Sequence, residues 1–365
     1  MPEVAGASQE IPDRARVVVI GGGVGGCSIL YWLARLGLSD AVLVERSQLT
    51  SGSTFHSAGL VGQLRQSLTL TRMMMNSVDL YRTLGEEVDL ETGWREVGSL
   101  RLASSRERME ELQRQSDWAE TFGLPLHLIS ADEAKDLFPV MTTNGVYGAA
   151  LLPTDGFVDP SQLTLALAKG ARLRGATIVT DTRVNAIRTD QGRVTAVETS
   201  RGTIECEVVV NAGGIYAYEI GRLVGVHVPL IPMAHQYVIT KDAGLPRDMP
   251  TMRDPSLLVY YRGESGGLVT GGYERNPQPW GLNGIPATFN NQLLAEDWDR
   301  FAAIFEAATM RVPDLGRAEI VQLVNGPEAF TPDGEFILGP SDVGGSGWPP
   351  GSAPTASPAR ALWAG

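Results

Sequence analysis

The chain has 365 residues, 43% of them hydrophobic, with a formal net charge of −12 and a pI near 4.9. This length supports a large core and two domains, and the acidic balance argues against nucleic acid and anionic membranes as partners. Two cysteines make no disulfide framework, which favours a reducing compartment such as the cytoplasm. No apolar run is long enough to span a membrane, and residues 1–14 lack the apolar core of a signal peptide.

The first elements read as strand, glycine turn, helix, strand and acid. An apolar strand is predicted at residues 17–20, and the turn Gly-Gly-Gly-Val-Gly-Gly follows it directly. A helix is predicted over residues 27–37, and a second strand over residues 41–44 leads into Glu45. This order is the dinucleotide-binding fingerprint in its full context, and it favours that function over an ordinary glycine turn in an α/β fold.

Each residue of the fingerprint has a physical role. Gly21 allows the tight turn, Gly23 lets the backbone approach a pyrophosphate, and Gly26 lets the helix pack close to the strand. The N-terminus of the helix offers unpaired N–H groups and a positive dipole end to the phosphates. Glu45 follows at the distance where a carboxylate can accept hydrogen bonds from the ribose hydroxyls.

The next segment, residues 51–60, is a run of small residues around one histidine, His56. A flavoprotein needs such a run, because the chain must pass under the ribityl chain and the isoalloxazine ring. A nicotinamide-dependent dehydrogenase has no evident need for it and is the weaker alternative. For His56 itself, the structural alternative is a packed loop histidine.

Residues 54–60, Thr-Phe-His-Ser-Ala-Gly-Leu, resemble the Thr-Trp-His-x-Ala-Gly-Leu run of a branch of the D-amino-acid oxidase superfamily. That branch contains the dimethylglycine and sarcosine dehydrogenases, and its histidine is bonded covalently to the flavin 8α-methyl carbon. The resemblance therefore implies a flavoprotein with FAD attached through His56, although Phe55 departs from the usual Trp. The likeness covers about residues 15–345.

The following elements lead away from the cofactor domain and back to it. The pattern predicts a helix at 68–90, a strand at 94–103, a helix at 107–122, a short helix opened by the Ser130–Glu133 capping box, and a strand at 145–152. In the family, a run similar to the Pro-Thr-Asp-Gly-Phe-Val-Asp-Pro that follows is where the chain crosses back into the flavin domain.

The return to the cofactor domain begins with a predicted helix at 161–175. The resemblance implies that the backbone of Val184 contacts the adenine. A β-hairpin over residues 193–207 leads into a strand and glycine turn at 208–214, a second place where backbone must approach the cofactor. In the superfamily, the Asn-Ala-Gly run of this turn lies against the FAD phosphates.

The second half of the chain is predicted to form the substrate side of the flavin site. Residues 230–240 resemble the family's Pro-x-x-His-Gln-Tyr strand, which lines the substrate side of the flavin, and residues 257–262 and 267–274 are predicted to form a hairpin of the same sheet. Residues 293–312 are predicted to be helical with Trp298 on the buried side, and a strand at 320–330 returns to the flavin domain.

The chemistry that the resemblance implies is oxidation of a small secondary or tertiary amine by hydride transfer from its N-methyl carbon to flavin N5. The protein must keep the amine unprotonated, and an imidazole can exchange a proton near neutral pH. His235 is the candidate for this task, with Tyr260 beside it. Tyr261 points to the opposite face of its strand, and a slip of one residue would exchange the two tyrosines.

The predicted fold is a discontinuous Rossmann-type FAD-binding domain with a second α+β substrate domain on a mixed, mainly antiparallel sheet. We assign a flexible arm to 1–14, the FAD-binding domain to 15–95, 158–225 and 328–345, the substrate domain to 96–157 and 226–327, and a disordered tail to 346–365.

The predicted cofactor-binding residues are Gly21, Gly23, Gly26, Glu45, Arg46, Ser53, Thr54, His56, Gly59, Leu60, Val184, Ala212 and Gly213. The predicted catalytic residues are His235 and Tyr260. No metal is predicted, because four histidines and two cysteines show no ligand spacing.

The predicted partners are a small N-methylated amine and an electron acceptor, either dioxygen or an electron-transfer flavoprotein. Residues 346–365 read as low-complexity sequence, and one hypothesis is that they translate the family's next strand in the wrong frame. On that hypothesis the chain lacks a strand of its flavin domain, so the alternative function is a catalytically impaired flavin-binding remnant.

Overall fold

A computed structural model describes residues 10–344 of the protein. Its elements in chain order are β1 (Val17–Ile20), α1 (Val24–Arg35), β2 (Ala41–Val44), β3 (Leu60–Val61), α2 (Leu68–Val88), β4 (Ser99–Ala103), α3 (Arg106–Glu120), β5 (His127–Ile129), α4 (Ala131–Leu137), β6 (Gly148–Leu152), β7 (Gly156–Phe157), α5 (Pro160–Leu173), β8 (Thr177–Val179), β9 (Val184–Asp190), β10 (Arg193–Thr199), β11 (Gly202–Glu205), β12 (Val208–Asn211), α6 (Ala217–Arg222), β13 (Ile231–Thr240), β14 (Thr251–Asp254), β15 (Val259–Glu264), β16 (Gly267–Gly272), α7 (Trp298–Arg311) and β17 (Ile320–Phe330), with short 3₁₀ helices at Gly214–Tyr216 and Pro313–Arg317.

The first layer is a parallel sheet in the order β12-β1-β2-β8. Its strands are apolar at every position except Asn211 of β12 and Thr177 of β8, because both faces are covered. On one face of this sheet, Val19 packs against α1, α2 and α5. On the other face, the neighbouring Val18 packs against the antiparallel sheet β11-β10-β9. The dinucleotide fingerprint therefore lies at the carboxyl edge of a buried sheet, where α/β folds bind ligands.

The second layer is a mixed sheet in the order β17-β13-β16-β15-β14-β4-β6-β5, in which only the β14–β4 pair is parallel. One face packs on α4 and α7 through Phe138, Phe301 and Ile304. The other face carries Tyr237 and Tyr260 in a cluster with Leu60 of β3. Through that cluster the second sheet meets the segment that follows the fingerprint.

The predicted fold class is confirmed, and helix α7 and strand β4 differ in detail from the prediction. Helix α7 begins at Trp298 rather than residue 293, because the Leu294 N–H donates to the Asn325 carbonyl (2.8 Å) and holds the preceding segment across β17. Trp298, expected on the buried side, is 45% exposed because it occupies the first turn outside the sheet contact. The strand predicted from residue 94 begins at Ser99, since Arg95 pairs instead with Phe157.

The first described residues lie against the antiparallel sheet. Backbone hydrogen bonds to Glu205 hold Asp13 and Ala15, so the end of the predicted arm lies against β11. Residues 1–9 and the predicted disordered tail at 346–365 lie outside the described residues. Within residues 10–344, every helix is too short or too polar to cross a membrane.

Candidate active site

A cavity of about 750 Å³ lies between the parallel sheet and β17 of the mixed sheet. This volume falls within the range of cofactor and substrate clefts. Every predicted cofactor-binding residue except Gly26 lines the cavity, namely Gly21, Gly23, Glu45, Arg46, Ser53, Thr54, His56, Gly59, Leu60, Val184, Ala212 and Gly213. Segments distant in sequence thus meet at one cavity.

The glycines of the turn bring backbone close to backbone. Gly21 has φ +118°, and a Cβ there would lie 2.4 Å from the Ala212 carbonyl oxygen. A Cβ at Gly26 would lie 1.9 Å from the Gly21 carbonyl oxygen, so this glycine sets the helix-to-strand distance and does not line the cavity. At the start of α1, the Val24 N–H donates to Thr54 Oγ1 (3.1 Å). The result is a helix N-terminus with bare backbone around it, suited to a pyrophosphate.

Glu45 ends the second strand with its carboxylate held by backbone. Its Oε2 accepts from the Gly22 N–H (2.6 Å) and its Oε1 from the Ser47 N–H (2.9 Å). Burial raises the pKa of Glu45, and these two hydrogen bonds oppose that rise. The carboxylate is therefore fixed at the cavity wall, where it can accept from ribose hydroxyls.

Other predicted residues close the walls of the cavity. The Arg46 guanidinium lies over the Tyr216 ring at 4.6 Å and donates to the Ala287 carbonyl (2.6 Å). Ser53 Oγ donates to the Pro327 carbonyl (2.7 Å), which ties the small-residue run to β17. The long loop before α7 and the last strand of the mixed sheet thereby both become part of the site.

His56 is buried, with 5% of its surface exposed, in the wall of the cavity. Its ring packs directly on Gly326 of β17, where a Cβ would lie 2.3 Å from Nδ1. Burial lowers the pKa of His56 to about 4, and the charge of Glu328 opposes this shift. The imidazole is therefore neutral near pH 7, the state in which a ring nitrogen is nucleophilic.

His235 and Tyr260 are brought together by the mixed sheet. His235 Nε2 lies 3.1 Å from Tyr260 Oη, and the His235 ring centroid lies 4.7 Å from that of Tyr273, which lines the cavity. Tyr261 faces the other way and donates to the Ala308 carbonyl (2.8 Å). The register thus places Tyr260 beside His235. Burial raises the pKa of Tyr260 well above its ordinary value, so its phenol keeps its proton.

Four residues of the site have no local motif to reveal them. Gly271 leaves room for Tyr260, since a Cβ there would lie 2.3 Å from the phenol oxygen. Gly326 leaves room for His56, and Tyr273 and Glu328 line the cavity. Gly271, Gly326 and Glu328 lie on paired strands of the mixed sheet and Tyr273 directly follows one of them, a relation that a linear pattern does not carry. Within the described part of the chain, no group of histidine, cysteine and acidic side chains is placed to hold a metal ion.

Comparisons with known proteins give a matching family and several similar chains. The sequence model of the family described as "DAO: FAD dependent oxidoreductase" matches residues 16–353. The chain is 41% identical over 340 residues to mitochondrial sarcosine dehydrogenase of Homo sapiens, covering 92% of this chain and 37% of that one. It is 36% identical over 343 residues to mitochondrial dimethylglycine dehydrogenase of Homo sapiens, covering 92% and 40%.

The chain thus spans about two fifths of the length of these curated relatives. Among solved structures it resembles L-proline dehydrogenase from P. horikoshii, with a TM-score of 0.82 and 26% identity over 95% of this chain and 88% of that one. The predicted superfamily and its FAD dependence are confirmed at the level of the family.

Proposed function

This chain belongs to the FAD-dependent oxidoreductase family, and from that premise we propose that it oxidises the N-methyl group of a small amine such as sarcosine or dimethylglycine. We further propose that FAD is attached covalently through His56. One observation carries the proposal: a buried, neutral histidine lies in the wall of the same cavity that the dinucleotide fingerprint opens into. The names of the two relatives support the substrate class.

The residues of the cavity suit FAD. Gly21 and Gly23 present bare backbone beside the N-terminus of α1, which suits a pyrophosphate, and Glu45 offers a fixed carboxylate to a ribose. When bound, FAD supplies the two-electron oxidation of the amine carbon. The protein's part is to hold the substrate beside it and to manage the proton of the amine.

His235 and Tyr260 form the proposed proton-handling pair. Their 3.1 Å contact joins an imidazole to a phenol that stays protonated, so a proton can be held or passed between them and a bound amine. His235 and Tyr260 lie behind the wall of the main cavity, and the ring of Tyr273, which lines that cavity, is tilted against the His235 ring with centroids 4.7 Å apart. The proposed electron acceptor is dioxygen or an electron-transfer flavoprotein, and an oxygen-consumption assay distinguishes them.

The covalent attachment is tested by acid precipitation of the purified protein. The precipitate should keep a yellow, fluorescent flavin, and His56→Ala should release it. The exposed His127 provides a control, since His127→Ala should keep the bound flavin. A colourless wild-type precipitate would refute attachment through His56 and leave the fold unaffected.

The activity is tested by anaerobic mixing with sarcosine, dimethylglycine and other small amines while the flavin absorbance is followed. At least one N-methylated amine should bleach the wild-type flavin, and His235→Ala should slow the bleaching and change its dependence on pH. Failure of every amine would favour a flavin-binding protein without this catalysis. An unchanged pH profile in His235→Ala would leave this residue with a packing role.

A further inference from the structure

One face of the β13–β17 pair is turned toward the cavity. In the antiparallel register His235 lies opposite Gly326, and Met233 lies opposite Glu328. Directly paired residues, and residues two apart on one strand, point to the same face. His235, Gly326 and Glu328 therefore share a face, and Glu328 lies only ~7 Å along the strand from the glycine under His56.

Glu328 differs from the other acidic side chains of the cavity wall. Glu45 is held by backbone N–H groups, and Glu219 accepts from the Ile285 N–H (3.0 Å). Glu328 is half-buried and lines the cavity, and within residues 10–344 its carboxylate takes part in no hydrogen bond or ion pair. Arg262, whose charge reaches Tyr237 and Tyr260 as that of Glu328 does, forms an ion pair with Glu264.

The charge of Glu328 reaches the groups around the proposed reaction centre. It raises the pKa of His56 against the effect of burial, and it adds to the burial that raises the pKa of Tyr260 and of Tyr237. His56, Tyr260 and Tyr237 come from three different segments of the chain, so the Glu328 carboxylate lies where these segments meet. A negative charge there favours a cation in the adjoining part of the cavity.

We propose that Glu328 binds the nitrogen of the substrate amine as it carries positive charge. The proposal rests on the proposed function. The amine arrives as an ammonium ion and gives up its N–H proton to the His235–Tyr260 pair or to water. The methyl hydrogen then leaves with the electron pair of its C–H bond to the FAD oxidant, and the nitrogen lone pair forms the C=N bond. The nitrogen becomes positive again as an iminium, next to the carboxylate.

The Glu328 carboxylate would therefore act at both charged stages. Preorganised groups that face a developing charge in a water-poor site give large rate effects, about 10²-fold for a single donor. A role only in positioning His56 would instead alter flavin attachment. Binding of the charged amine and positioning of His56 therefore predict different effects of one Glu328 variant, the first on substrate and the second on flavin attachment.

The experiment compares Glu328→Gln with Glu319→Gln in the full-length, flavin-loaded protein. Glu319 precedes the same strand, is exposed and pairs with Lys241 at 2.8 Å, so its variant removes a carboxylate far from the cavity. Two probes are used: sarcosine, and (methylthio)acetate, in which an uncharged sulfur replaces the nitrogen. Dissociation constants come from the flavin spectrum under anaerobic conditions, and the rate of bleaching by sarcosine is recorded.

Glu328→Gln should reduce the ratio of sarcosine bleaching rate to its dissociation constant by about 10²-fold, with (methylthio)acetate binding within about threefold of wild type and flavin attachment unchanged. Glu319→Gln should behave as wild type. If Glu328→Gln lowers the affinity for sarcosine and for (methylthio)acetate by the same factor, the proposal is overturned. Loss of attached flavin in this variant would also overturn it. If wild-type flavin is not bleached by any amine, the proposed function fails, and the sarcosine-to-thioether binding ratio still tests Glu328.

Discussion

The two halves of the candidate site are built in different ways. In the dinucleotide cradle the essential groups are backbone atoms of two glycine turns, one after β1 and one after β12, and Gly21 and Gly26 allow these backbones to approach each other closely. On the substrate side the groups are side chains on paired strands, such as His235 and Tyr260, which are 25 residues apart in sequence. The cradle is therefore specified locally, whereas the substrate side is specified by strand register.

This difference determines how each half should respond to substitution. A cradle of packed backbone has nowhere to move, so an added methyl group should affect folding itself. Side chains on the substrate side can shift while the sheet remains intact. An added methyl group there should therefore lower the reaction rate and leave the free energy of unfolding nearly unchanged. Paired glycine-to-alanine substitutions test both statements.

The largest effect is expected from Gly26→Ala in the cradle. The new Cβ would lie 1.9 Å from the Gly21 carbonyl oxygen, and neither backbone can yield, so we expect about 3 kcal/mol or more of destabilisation and loss of FAD binding. Gly25 precedes it in α1 and has no atom within 4 Å of an added Cβ. Gly25→Ala should therefore be neutral or slightly stabilising in flavin-free protein. Urea unfolding of both variants measures the contrast, and equal stability would contradict the packing argument.

The same difference explains what could be predicted from the sequence. The cradle can be predicted from the sequence because Gly21, Gly23 and Glu45 have fixed spacings within one strand–turn–helix–strand unit. His235 and Tyr260 were named through resemblance to a family. Glu328 and Gly326 were not found, because their importance comes from pairing with β13, which no local pattern encodes.

His56 joins the two halves, and its burial predicts a pH dependence of stability. Its pKa is about 4 in the folded protein, against about 6.5 in the unfolded chain. Between these values the unfolded chain binds a proton that the folded protein does not, so stability rises with pH through this window and is lost as pH falls toward 4. The full contribution is about 3 kcal/mol.

Flavin-free wild type, His56→Ala and His127→Ala should be unfolded in urea at several pH values from 4 to 7. The difference between wild type and His56→Ala should grow by about 3 kcal/mol in favour of wild type over that range. The exposed His127 should show no such trend. A constant difference would mean that His56 titrates in the folded protein as it does in the unfolded chain.

The smallest effect in free energy is expected from Gly271→Ala on the substrate side. An added Cβ would lie 2.3 Å from Tyr260 Oη and 2.8 Å from the Cβ of Tyr237, so the Tyr260 ring must move away from His235. A displacement of about 1 Å in a catalytic group can cost about 10²-fold in rate. FAD content should stay at the wild-type level, because Gly271 does not line the cofactor cavity.

Gly263 provides the matched control on the neighbouring strand, since an added Cβ there would come no closer than 3.8 Å to any atom. Gly263→Ala should therefore keep the wild-type rate of flavin bleaching, while Gly271→Ala loses about 10²-fold with attached flavin unchanged. Loss of flavin in Gly271→Ala would show that the sheet and the cradle are coupled more tightly than their separate construction implies. A wild-type rate in Gly271→Ala would show instead that the contact between Tyr260 and His235 has no part in the chemistry.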